Sequence, residues 1–148
     1  MNANSPAAKP SVLFWIIGAV SLLWNGFGGY DYVMTRQRNM AYLDQMGGAK
    51  DVLAWIDAFP MWVQILWPVG VWASVAGSLL LLLRSRHAVA AFLVSLVGAV
   101  ASFAGQMMVA APASLDTTAN KVLPLVIVAI IILLWWYSRR QAVAGVLR

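Results

Sequence analysis

The chain has 148 residues, of which 62% are hydrophobic and only 10% charged, with a mean hydropathy of +0.79 and a formal charge of +5. Average soluble domains carry about 25% charged residues, so these charges are too few to cover a soluble surface. The residue inventory argues against an enzyme or metal protein. Cysteine and glutamate are absent and His87 is the only histidine, whereas acid–base and metal chemistry recruit clusters of such groups.

The composition predicts an all-α polytopic membrane protein, a single four-helix domain over residues 1–148. Its four apolar segments are residues 12–34, 61–83, 88–110 and 122–137. The first three lie within the roughly 17–25 residues that a helix needs to cross the hydrocarbon, and the fourth is read as a span at the short limit. Helices satisfy their own backbone groups where lipid offers no partners. Runs such as "LVIVAIIILLWWY" lack the alternation of a membrane strand.

The first segment ends in "LLWNGFGGYDYVMTRQRN". The glycines do not make a nucleotide loop, because a dinucleotide fingerprint follows a strand. They fit close packing or a kink. Ser21, Asn25, Gly28 and Tyr32 share one helical face. Asn25 is expected near the outer boundary, at one level with Gln64 and Gln106. The four residues Asn25, Tyr32, Gln64 and Gln106 therefore define a candidate polar vestibule. The alternative is a closed interhelical amide network. An ion pair from Asp31 to Arg36 or Arg38 is a further expectation.

The connection to the second segment contains "MGGAKDVLAWIDAFP". Gly47 and Gly48 break the chain, apolar residues then recur at helical spacing, and Pro60 ends the run. This predicts a short amphipathic helix in the first external loop, packed on the spans or seated at the interface. In the second segment Gly70, Ser74 and Gly77 align. In the third, Ala91, Ser95, Ala99 and Ser102 align and extend to Gln106. Small residues at these spacings are expected to form a tight helix hairpin. The fourth segment carries Pro124, read as lying in its first turn. Its end, Trp135, Trp136 and Tyr137 followed by Arg139 and Arg140, reads as an interfacial aromatic belt with snorkelling cations.

The basic residues lie between the spans and act as topology signals, not as a nucleic-acid surface. With the N-terminus inside, six face the cytoplasm (Lys9, Arg84, Arg86, Arg139, Arg140, Arg148) and four lie outside (Arg36, Arg38, Lys50, Lys121). Both termini are therefore expected in the cytoplasm, with an uncleaved first span. No span carries an ionisable group near its middle, which argues against an ion-coupled monomeric pump.

The strings "LLWNGFGGYDYVMTRQRNMAYL", "FPMWV" and "VWASVAGSLLLLLRSRHAVAAFLVSLVGA" resemble a family of small bacterial four-span inner-membrane proteins often labelled "sugar transporter" or uncharacterised membrane protein. The resemblance runs from about Leu22 to Gln106. It implies a bacterial cytoplasmic membrane and sugar transport, without a binding motif that carries over residue by residue. Two functions are expected from the whole reading. One is an accessory or structural subunit without cofactor, embedded in the bilayer as a homo-oligomer or within a larger membrane complex. The other is a small-solute carrier with an external vestibule.

Overall fold

The computed structural model describes residues 9–148; residues 1–8, the start of the predicted cytoplasmic N-terminal segment, lie outside the described residues. The described chain is helical, without strands. Its elements are α1 (Val12–Arg36), α2 (Met40–Asp44), α3 (Ala49–Asp57), α4 (Met61–Leu82), α5 (His87–Gln106) and α6 (Thr118–Val143), with one 3-10 turn at Ala113–Leu115. Four of them, α1, α4, α5 and α6, are long and apolar enough to cross a membrane.

Local chemistry sets the boundaries. The Ser11 hydroxyl caps α1 by accepting from the Phe14 N–H (3.2 Å), and the Thr117 hydroxyl caps α6 by accepting from Asn120 (3.2 Å). Three helices close with Schellman turns. After α4, Ser85 N–H donates to the Leu80 carbonyl and Arg84 N–H to that of Leu81. After α1 the equivalent donors are Asn39 and Arg38, and after α6 they are Val146 and Gly145. Gly145 takes the left-handed position freely, at φ +73°, but Arg38 (φ 53°) and Arg84 (φ 58°) occupy it as non-glycines.

The fourth span is longer than expected. Thr117 supplies a cap five residues before the predicted start, and the helix continues through the arginine pair to Val143. Pro124 is consequently in the helix interior, in its second turn, where it deprives the Asn120 carbonyl of its helical donor. The sequence reading also passed over Pro68, which does the same to the Gln64 carbonyl within α4.

The spans neighbour one another in the order α1–α4–α5–α6, with α4 between α1 and α5. Large apolar side chains fill the two ends. At one end Phe14, Leu81, Phe92, Leu134, Val146 and Leu147 form a core, and the Phe14 and Tyr137 rings approach to 6.5 Å. At the other, Leu43, Val52, Ile56, Phe59, Val63 and Leu115 bring α2 and α3 down onto the start of α4 and the α5–α6 connection. The predicted loop helix is therefore α3, and it packs on the bundle. Between the two cores lies a waist of small residues.

That waist includes the predicted packing residues Gly70, Ser74, Gly77, Ser95 and Ser102, all buried. One detail is corrected. The buried face of α5 runs Ala88, Phe92, Ser95, Gly98, Ser102 and Gly105, while Ala91, Ala99 and Gln106 flank it. Its steps of 4, 3, 3, 4 and 3 stay close to the 3.5 of helices winding round each other, whereas the expected stripe, with steps of 4, 4, 3 and 4, drifts off the seam. At Gly98 backbone meets backbone. A Cβ there would stand 2.8 Å from both Gly70 Cα and N.

Candidate functional site

Asn25 is buried on α1, and its Nδ2 donates to Ser78 Oγ on α4 (2.9 Å); Ser78 in turn donates to the Ser74 carbonyl (3.1 Å). This places the amide at the middle of α1, since the helix continues eleven residues beyond it to Arg36. The helix continues unbroken through the glycines, because leaving it would strand backbone groups in an apolar medium. Neither Gly26 nor Gly28 makes a close approach, as an added Cβ would meet nothing within 4 Å. The α1 glycine that packs closely is Gly18, against Leu82.

Gln64 lies in the first turn of α4, fourteen residues from Ser78, or about 20 Å at ~1.5 Å per residue. Asn25 and Gln64 are thus on different levels. Both functions of the Gln64 amide are engaged. Its Nε2 donates to the Ile56 carbonyl at the end of α3 (2.8 Å), and its Oε1 accepts from Arg36 Nη1 (3.0 Å). Gln106 closes α5, half-buried, and bonds to neither amide. Tyr32 is brought to the Gln64 end. Its ring meets Trp67 edge-on at 5.2 Å and Trp72 at 6.4 Å, and Trp67 continues to Phe59 and Trp55. The four predicted vestibule residues are therefore divided between a mid-span bond and a polar–aromatic group around Tyr32 and Gln64.

Asp31 does not pair with the nearby arginines. It accepts from the Tyr42 hydroxyl (2.7 Å), while Arg38 bridges to Asp57 (2.6 Å). Burial lifts the Tyr42 phenol well above its ordinary range, and the Asp31 carboxylate adds to the rise by holding the proton. The lid of α2 and α3 is thus tied to α1 at Asp31–Tyr42 and to the turn after α1 at Arg38–Asp57. Trp55 Nε1 ties it to the Val109 carbonyl (3.3 Å), and Ser114 Oγ contacts Asp51 (3.4 Å).

At the opposite end Arg139 stacks over the Trp135 ring at 5.0 Å and Arg140 over Trp136 at 4.9 Å. The predicted belt and cations are therefore joined one turn apart by cation–π contacts. Among the described residues no three His, Asp, Glu or Cys side chains come together to hold a metal. Compared with protein-family models, curated proteins and solved structures, the chain matches none.

Proposed function

We propose that this chain is an accessory or structural subunit that packs through its helix faces against itself or a larger membrane complex. We place it in a bacterial cytoplasmic membrane with both termini inside. The reading is supported chiefly by α6. Only 11% of its most apolar stretch is buried, against 28–33% in the other spans. Its buried residues, Ile131, Leu134 and Ser138, all belong to the half nearer Arg139, and its other half turns Leu123 and Leu125 outward. The interior polar groups support it too. Asn25 and Ser95 are used to bind helix to helix.

The test is the mass of the assembly released from native membranes in mild detergent. A stoichiometric species larger than the 16.1 kDa chain is expected. A homogeneous monomer overturns the reading.

A small-solute carrier is the second reading, favoured by Tyr32, Trp67, Gln64 and Arg36 gathering at one end of α1 and α4. Proteoliposomes that fail to take up any of a panel of labelled sugars would remove it for sugars.

A further inference from the structure

Past Val143, the last residue of α6, the chain turns back onto the bundle. Gly145 makes the turn in the left-handed region, at φ +73°, and Val146 and Leu147 then enter the core. There they join Phe14 of α1, Leu81 of α4, Phe92 of α5 and Leu134 of α6, a cluster drawn from every span. Arg148 completes a strap by pairing with the α4–α5 turn through the backbone. Its N–H donates to the Arg84 carbonyl (2.7 Å), and its own carbonyl accepts from the Arg86 N–H (2.8 Å).

The strap is fastened to a strained residue. Arg84 occupies the left-handed region at φ 58°, where its Cβ crowds the backbone. Such a conformation persists only where the surroundings over-determine it, and it is concentrated at switch regions. Here the strap holds Arg84 on two sides. Its carbonyl takes the Arg148 N–H, and its Nε donates to the Val146 carbonyl (3.1 Å). The bend itself is open: Ala144 and Gly145 are exposed, and a Cβ on Gly145 would meet nothing within 4 Å. The helix that carries the strap is weakly seated. Within α6 only Ile131, Leu134 and Ser138 are buried, and α5 is its main neighbour among the spans.

We propose that residues 145–148 are a latch, which fixes α6 to the α4–α5 turn and opens about Gly145 while the rest of the fold stands. Opening withdraws Val146 and Leu147 from the core and lets Arg84 leave the left-handed region. It leaves α6 held by Ile131, Leu134 and Ser138 alone, free to shift against α4 and α5. The latch is independent of what covers the outward face of α6.

The test measures how fast single cysteines react with a water-soluble maleimide in the purified full-length protein, which has no native cysteine. Val143→Cys, 90% exposed, sets the rate of an open site, and Leu147→Cys should react far more slowly. Where opening and closing are fast, the rate follows the open population. Gly145→Ala should therefore speed Leu147→Cys about tenfold, because a left-handed alanine is disfavoured by roughly that factor and meets no neighbour. Gly145→Asn, whose side chain tolerates that region, should speed it by no more than about threefold. Leu134→Cys on α6 should accelerate together with Leu147→Cys, and Leu43→Cys in the opposite core should not. Circular dichroism and elution volume check that each variant folds, and Val146→Cys reads the same strap if Leu147→Cys does not fold. Equal acceleration of Leu147→Cys and Leu43→Cys would mean general destabilisation and overturns the proposal. So does an effect of Gly145→Ala no larger than that of Gly145→Asn. Acceleration of Leu147→Cys without Leu134→Cys overturns it too, since α6 would then be held by its own contacts.

Discussion

Gly70 of α4 and Gly98 of α5 face each other with backbone against backbone, and Ser95 Oγ closes the crossing by donating to the Gly70 carbonyl (2.8 Å). In lipid the hydrophobic effect does not drive helices together, so close packing of this kind holds the pair. The neighbours of a Cβ on Gly98 would be Gly70 Cα and N and the Leu66 carbonyl oxygen. None can rotate away.

Gly98→Ala should therefore destabilise the fold by about 1–3 kcal/mol, the cost of overpacking a tight core. Gly28→Ala, on a helix with open space at that point, should be neutral or stabilising by up to ~1 kcal/mol from helix propensity. Thermal unfolding in detergent separates the two. Equal behaviour would mean that the waist is looser than described.

Asn25→Leu removes one interhelical hydrogen bond and leaves Ser78 its bond to the Ser74 carbonyl. Bonds of this kind in membrane bundles average about 0.6 kcal/mol, so a loss of about 0.5–1.5 kcal/mol is expected, with assembly mass unchanged. If the variant instead abolished solute uptake in proteoliposomes while remaining folded, Asn25 would be a transport residue and not a packing one.

The lid makes a separate prediction. Tyr42→Phe keeps the ring against Tyr30 (5.8 Å) but removes the donor to Asp31. Hydrogen exchange of α2 should speed up by an amount equivalent to about 1 kcal/mol. In the native protein the phenol's pKa is raised on folding. Its contribution is complete below the unfolded value of 10.0 and is lost as pH rises beyond it. Trp55 fluorescence, which reports the lid, should be constant from neutral pH to about 10 and change above it. A change centred near neutral pH would assign control of the lid to another group.

The four spans and the lid helix were legible because hydropathy and helix-ending residues are local signals. What the sequence hid depends on neighbours. The seam of α5 follows helix winding, so Phe92, Gly98 and Gly105 take the places that the expected stripe, with its steps mostly of four, gave to Ala91, Ala99 and Gln106. Asn25 was expected near the outer boundary, at one level with Gln64 and Gln106. It lies instead at the middle of α1, where it meets Ser78. Counting inward from the Ser11 cap would have placed Asn25 at mid-span. The division of the candidate vestibule follows from that single difference.

The proposed subunit role rests on the outward face of α6, and the absence of native cysteine makes that face directly accessible to site-specific crosslinking. Single cysteines would be placed in native membranes at Leu125 and Leu133, which are 70% and 61% exposed, and at Leu134, which is 7% exposed. The account predicts that Leu125→Cys and Leu133→Cys crosslink into a defined higher-mass species and that Leu134→Cys does not. Monomer at all three positions, with the first two reacting freely with a lipid-soluble maleimide, would contradict it.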